Sequence, residues 1–259
     1  MAIAFVQYDY TWAYTSAGSV ATPAQNMTTG NTAIVCTGSY SNTAGDQVVS
    51  SVTDTASNTY TKAVGKTYSN AASGMRSEIW YCQNMTGNAN NIITVTFTGN
   101  SLNRFISASE YSGIGASPLL DTSGQDSKGE TSHTSGEATS DNTGDLIVGM
   151  YHSNNDEDMT VGSGFTALTG DLTRERELAE YKVLGAAGNY AATLTTGTTS
   201  YAVTTCAIFS SLAATGTNTQ INIGDVWKEI AAVQINIGDE WKEVTGMQIN
   251  IGDDWKTIS

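Results

Sequence analysis

Only two of the 259 residues are proline, three are cysteine, two are histidine, and eleven are lysine or arginine. Each scarcity excludes something. Eleven bases against 25 acids leave a net charge of −14, and no Lys/Arg cluster could neutralise phosphates, so nucleic acid is excluded as a partner. Anionic membrane surfaces are disfavoured for the same reason. No apolar run approaches the ~18 residues of a membrane-spanning helix. The opening Met-Ala-Ile-Ala-Phe-Val-Gln-Tyr has no basic segment and too short an apolar stretch for a signal peptide, so synthesis and assembly in a cytoplasm are expected. Cys36, Cys82 and Cys206 are widely spaced, odd in number and set in apolar runs, which predicts buried free thiols. There is no Cys-x-x-Cys and no His-Glu-x-x-His. His133 lies in a polar stretch, His152 ends a predicted strand, and no Gly-x-Ser-x-Gly elbow accompanies them, so triad chemistry lacks its parts.

With proline nearly absent, 26 glycines and abundant Thr, Ser and Asn favour strands joined by Gly/Asn turns and disfavour helices. Period-2 alternation or short apolar runs predict strands at 3–8, 32–38, 47–52, 59–64, 76–83, 92–98, 104–111, 145–152, 177–184, 190–195 and 201–210. Residues 173–184 could be argued as a helix, but the alternation of Ala179, Tyr181 and Val183 fits a strand. The polar, low-complexity stretch 114–143 reads as a long connection with an edge strand near 130–139.

Two levels of repetition organise the chain. Gly30-Asn-Thr-Ala-Ile-Val, Arg76-Ser-Glu-Ile-Trp-Tyr, Gly87-Asn and Phe105-Ile-Ser-Ala-Ser are matched in order by Gly144-Asp-Leu-Ile-Val, Arg176-Glu-Leu-Ala-Glu-Tyr, Gly188-Asn and Thr205-Cys-Ala-Ile-Phe. Two pseudo-equivalent halves follow, and they predict one double-sheet sandwich in preference to two separate small ones. The second repeat closes the chain: Gln220-Ile-Asn-Ile-Gly-Asp-Val-Trp-Lys, Gln234-Ile-Asn-Ile-Gly-Asp-Glu-Trp-Lys and Gln248-Ile-Asn-Ile-Gly-Asp-Asp-Trp-Lys. Each reads as a hairpin around Gly-Asp. A two-residue loop sets Trp227 across from Asn222, whereas a three-residue loop sets it across from Ile223, and the sequence leaves both open. The expected fold is all-β: a jelly-roll-like antiparallel sandwich with internal pseudo-duplication over 1–213, a linker at 214–219, and three hairpin repeats over 220–259.

Candidate chemistry is sparse. Glycoside hydrolysis needs two carboxyls across a cleft, and Glu78, Glu110, Glu177 and Glu180 are the candidates. Glu78 and Glu180 fall near matching positions of the two halves, which favours a shared structural role over catalysis. The run Asn154-Asn-Asp-Glu-Asp158 offers oxygen ligands, Asp156 and Asp158 foremost, but lacks the spacing of a Ca²⁺ loop and reads as a solvated tip. No metal and no cofactor are expected. Trp12, Tyr10 and Trp80, with Tyr8 and Tyr14, could stack on pyranose rings but serve equally as core fillers. Trp227, Trp241 and Trp255, with Lys228, Lys242, Lys256, Ile221, Ile235 and Ile249, are the candidates for self-assembly or partner contact, because hairpins this small are barely stable alone.

The order Ile34-Val, Val52-Thr-Asp-Thr-Ala-Ser-Asn-Thr-Tyr-Thr, Glu78-Ile-Trp-Tyr, Ile93-Thr-Val-Thr-Phe and Ala108-Ser-Glu-Tyr-Ser-Gly resembles a β-sandwich module of tailed-phage and bacterial surface proteins. The Gly-x-x-Trp-Lys hairpins resemble short repeats of phage virion structural proteins. The resemblance implies a non-enzymatic virion component, with a capsid decoration or head-fibre protein in first place and a receptor- or glycan-binding module of a tail fibre in second. It implies the major capsid protein or a tail component as partner, and a homo-oligomer, a trimer by preference.

Overall fold

A computed structural model describes residues 2–43, 47–69, 74–173 and 175–211, and the backbone alone of 219–223, 226–230, 234–237, 240–243, 247–251 and 254–258. The chain is all-β, and every sheet is antiparallel. No helix occurs among the described residues, so none is long and apolar enough to cross a membrane. Two compact units emerge, residues 2–212 and 213–259.

The first half of the larger unit runs β1 (Ala4–Ala13), β2 (Ala17–Ala21), β3 (Gln25–Met27), β4 (Thr32–Ser41), β5 (Val49–Asp54), β6 (Thr61–Ser69), β7 (Gly74–Cys82), β8 (Asn88–Asn91), β9 (Ile93–Ser101) and β10 (Asn103–Ser112). The second runs β11 (Ile114–Thr134), β12 (Ala138–Ser140), β13 (Leu146–Glu157), β14 (Met159–Val161), β15 (Thr166–Ala167), β16 (Glu175–Val183), β17 (Gly188–Tyr190) and β18 (Thr193–Ser211). The large sheet of the first half has the order β1-β10-β4-β7-β6, and that of the second has β11-β18-β13-β16-β15. These are the same order, strand for strand. A small β2-β9-β5 sheet in the first half corresponds to the end of β11, the start of β18, and β14; the β3-β8 pair corresponds to β12-β17.

Backbone bonds repeat as well. Gly30 N donates to Met85 O and Met85 N to Asn31 O, both at 2.9 Å; Gly144 N donates to Leu184 O and Leu184 N to Asp145 O, both at 2.8 Å. Gly30 and Gly144 share φ +89, a conformation that favours glycine.

The layers follow from side-chain alternation. Ile34, Cys36, Ile79, Phe105 and Tyr111 on one face of the first large sheet pack against Val148, Met150, Ala179, Ala207 and Phe209 of the second. The opposite face of the first sheet, through Ala33, Val35, Cys82, Ile106 and Ala108, covers Val20, Val49, Val52, Val95 and Phe97 of the small sheet. The opposite face of the second, through Ile147, Cys206 and Ile208, covers Ala138 and Ala192. Both large sheets are therefore buried on two faces, which is why burial along β4, β10 and the first eight residues of β13 is nearly continuous rather than alternating.

Two sequence expectations are corrected here. The stretch expected as a connection is β11, the longest strand; its polar composition reflects an edge position, where one face and one ladder side meet water. The separate strands expected at 190–195 and 201–210 are largely one, β18. It crosses from the small sheet to the large one opposite a register shift in β11 around Gly129, which has φ +71. In the first half the same crossing is made by two strands, β9 and β10, with a break at Leu102.

The smaller unit contains β19 (Thr219–Ile223) with β20 (Val226–Ile230), β21 (Gln234–Ile237) with β22 (Glu240–Glu243), and β23 (Met247–Ile251) with β24 (Asp254–Ile258). Ile223 pairs with Val226, Ile237 with Glu240 and Ile251 with Asp254, so each connection has two residues. Trp227, Trp241 and Trp255 accordingly stand across from Asn222, Asn236 and Asn250. Thr219, expected at the end of a linker, is the first residue of β19; 214–218 lie outside the described residues.

Candidate functional site

Alternation along β1 puts Tyr8, Tyr10 and Trp12 in one row. Their rings stack in sequence, Tyr8 on Tyr10 at 6.3 Å and Tyr10 on Trp12 at 5.5 Å with 14° between planes. β1 is the edge of its sheet, so the row is held from one side only, by β10, where Trp12 stands opposite Phe105. Tyr8 and Tyr10 lean on the core between the large sheets. Trp12 remains 43% exposed, and Tyr14, just past the strand, 47%.

Those two rings form one wall of an open cleft of about 420 Å³. Asn103 at the start of β10 joins them, and the second half supplies the rest: Asp156 near the end of β13, and Glu175 and Arg176 at the start of β16. The polar groups are cross-linked. Arg176 Nε donates to Asp156 Oδ1 at 2.5 Å and Tyr14 Oη to Glu175 Oε2 at 3.3 Å; with the Asn103 amide oriented so that both of its ends are satisfied, its oxygen accepts from Arg176 Nη1 at 2.8 Å. Burial, then the nearby Glu177, raises the Glu175 carboxyl above its ordinary range. Burial and the Glu177 and Glu175 charges raise the Tyr14 phenol. A half-exposed aromatic wall facing fixed polar groups can hold a ligand with an apolar face and a polar edge.

Of the aromatics singled out in the sequence, Trp12 and Tyr10 come together and Trp80 does not. Trp80 lies on β7 and packs toward the core of the opposite face. Its indole N–H donates to Glu78 Oε2 at 2.8 Å and the Lys62 ammonium sits 5.3 Å above its ring, so it is a structural residue. Period-2 spacing says which residues share a face within a strand, but not which strands lie side by side.

The carboxylates divide. Glu78 is fully buried and accepts from Arg76 Nε at 2.6 Å, Trp80 Nε1 and Val49 N, with Lys62 at 3.4 Å. Glu110 accepts from Gln7 Nε2, Asn31 Nδ2 and Thr28 N. Glu180 accepts from Gly162 N at 3.1 Å, while its Oε1 has no partner, and burial pushes its carboxyl up to about 8. Glu177 lies 3.3 Å from His152 Nδ1 in the core, without an aligned hydrogen bond to either oxygen. The expectation that Glu78 and Glu180 match is corrected by register. Val35 pairs with Trp80 and Ala108, and its counterpart Gly149 pairs with Glu180 and Cys206. Glu180 thus stands where Trp80 does, and Glu78 corresponds to Leu178.

His133 is buried on β11, not in a loop; its ring nitrogens meet Ser127 Oγ at 2.6 Å and Thr196 Oγ1 at 3.1 Å, and burial lowers its pKa. His152 is interior to β13, which continues through the run expected as a solvated tip. Asp156 is engaged by Arg176, Asp158 is exposed beside buried Glu157, and no group of three or more acidic, His or Cys side chains among the described residues is disposed to hold a metal. Cys36, Cys82 and Cys206 are buried free thiols, their pKa values raised by burial, that of Cys82 to about 11. The side chains of Trp227, Lys228, Trp241, Lys242, Trp255, Lys256, Ile221, Ile235 and Ile249 lie outside the described residues.

No family model, curated protein or solved structure matches the chain. The geometry must therefore speak for itself, and it adds residues that sequence reading missed. Asn103 on β10 and Glu175 and Arg176 on β16 come from different halves, so no local motif joins them. One signal was present: Arg176 repeats Arg76, yet Arg76 has an acid two residues on, at Glu78, where Arg176 has Leu178. An arginine that has lost its local partner is free to reach elsewhere.

Proposed function

We propose that this chain is a non-enzymatic structural protein of a phage particle, a capsid decoration or head-fibre protein built on a jelly-roll-like duplicated sandwich and attached or oligomerised through its three C-terminal hairpins. The observation that carries the reading is that each hairpin is paired only with itself among the described residues. A two-stranded hairpin is marginal in water, and both of its outer edges offer unpaired backbone groups. Three copies, each bearing Trp-Lys, suit repeated contact with a symmetric shell or with sister chains, where linked weak contacts add as avidity. The sandwich, as a separate compact unit, would be displayed outward. A receptor-binding module of a tail fibre is the second reading, favoured by the exposed Trp12–Tyr14 cleft.

The test has two arms. Deletion of 214–259 should abolish co-sedimentation with purified particles and lower the oligomeric mass seen by light scattering, while the sandwich melts as before. The full-length triple variant Trp227→Ala, Trp241→Ala, Trp255→Ala should do the same without removing any backbone. A truncated protein that still sediments with particles, or keeps its oligomeric mass, would refute the attachment role.

A further inference from the structure

We propose that the cleft between the two halves, walled by Trp12 and Tyr14 and floored by Asn103, Asp156, Glu175 and Arg176, is a binding site for a neutral saccharide. The inference does not rest on the attachment role of the hairpins, and it holds for either place on a particle.

Four observations converge. The first is the aromatic wall. Trp12 is nearly half exposed although Tyr10, stacked behind it at 5.5 Å, fixes the indole plane. An exposed ring that is already held loses little freedom when a ligand covers it. The C–H face of a pyranose is a flat apolar surface of the size an indole offers, whereas its rim is all hydroxyl.

The second is the polar floor. Asp156, Glu175 and Asn103 offer oxygen acceptors, and Arg176 and Tyr14 offer donors, in one cleft. Hydroxyls both donate and accept, so a mixed floor suits them better than it suits an ion of one sign. The floor is also preorganised: Arg176 ties Asp156 to Asn103, and Tyr14 ties itself to Glu175. Planar side chains locked by one another need not reorganise when a ligand arrives.

The third is charge. Two carboxylates against one guanidinium leave the cleft net acidic, on a chain of net charge −14. Phosphorylated, sulfated and acidic sugars are repelled by that field. Arg176 does not reverse this, because Asp156 holds its Nε. The fourth is size and access. A cleft of about 420 Å³, open to solvent, lies within the roughly 300–1,000 Å³ of small-ligand sites.

The full-length protein should be screened on an array of neutral and acidic glycans, and hits followed by titration calorimetry with the free oligosaccharide. The expected result is binding to at least one neutral oligosaccharide of glucose, galactose, mannose or N-acetylglucosamine. Trp12→Ala should weaken it about tenfold or more, the loss of one stacked ring. Trp12→Phe, which keeps a ring, should recover part of that loss. Tyr14→Ala should weaken binding by a smaller factor. Tyr201→Ala removes an equally exposed aromatic elsewhere and should change nothing. Both Trp12 and Tyr14 are exposed, and unchanged thermal melts would exclude misfolding as the cause. Absence of any neutral ligand, preference for acidic glycans or for quaternary ammonium ions, or affinity indifferent to Trp12→Ala would overturn the assignment.

Discussion

The two halves of the sandwich have one strand order and two chemistries. In the first, the buried carboxylates of Glu78 and Glu110 each gather three or four donors. In the second, Glu180 has one bond and a bare oxygen, and Glu177 has only His152 at 3.3 Å. The backbone ladders and turn bonds are held in common, but the polar side chains are not. A β topology is specified by which faces are apolar and where the turns fall. Within that frame each buried polar position can be solved separately. The same divergence makes the cleft: Arg76 turns to Glu78 on its own strand, whereas Arg176 reaches Asp156 and Asn103 and so joins the halves.

The comparison is broken most severely by Glu78→Ala. Glu78 is an ion paired inside the fold, and its removal leaves Arg76 mostly buried without its acid and the Val49 and Trp80 N–H groups without an acceptor. The expected destabilisation is about 3–5 kcal/mol, the usual cost of breaking a buried pair from one side. Urea unfolding at neutral pH would measure it. A loss below about 1 kcal/mol would mean that water replaces the carboxylate, and that Glu78 is no better integrated than the buried carboxylates Glu177 and Glu180 of the second half.

Glu180 gives the opposite behaviour, read through pH. Its carboxyl titrates near 4.5 when unfolded and near 8 in the fold, because burial disfavours the charged form. The folded state therefore holds a proton that the unfolded chain releases. The stability tied to this group is complete below pH 4.5, declines as pH rises, and levels off above pH 8. The swing is at most about 5 kcal/mol. Glu180→Gln keeps the shape and removes the proton, so its melting temperature should lack this decline between pH 5 and 8 relative to the parent. Parallel profiles for the two proteins would show that Glu180 is hydrated and unperturbed.

Much of this was legible in the sequence. The Gly30 and Gly144 turns, the Arg76 and Arg176 strands and the paired Gly-Asn turns identified two equivalent halves, and the apolar runs located nearly all the long strands. Four things were hidden, each for a physical reason. The strand β11 carries no apolar alternation, because an edge strand can be polar on its open side. Its fusion through Gly129, and that of β18, depend on a bulge that looks like any flexible Ser/Thr/Gly stretch. Trp12 and Trp80 were grouped by type alone; strand order sends them to opposite faces. The cleft needed tertiary contact between halves, which no local pattern encodes. The hairpin register was undecided between burial and turn preference, and pairing of Ile223 with Val226 shows that turn geometry won.

The smallest of the three effects sharpens the comparison at its centre. Ladder positions make Gly38 and Ser77 the counterparts of His152 and Glu177, and the two sites meet where the large sheets pack. A Cβ on Gly38 would lie 2.9 Å from His152 Nδ1 and 2.9 Å from Met150 Cε. One half thus omits a side chain where the other inserts an imidazole. Gly38→Ala should cost about 1–3 kcal/mol, as overpacking of a filled core does. Because two atoms compete for the space, a double-mutant cycle assigns the cost. In a His152→Ala background the alanine at 38 gains room, and the penalty should shrink by about 1 kcal/mol or more. A penalty of the same size in both backgrounds would mean that Met150 alone sets the spacing, and that the glycine is matched to the thioether rather than to the ring.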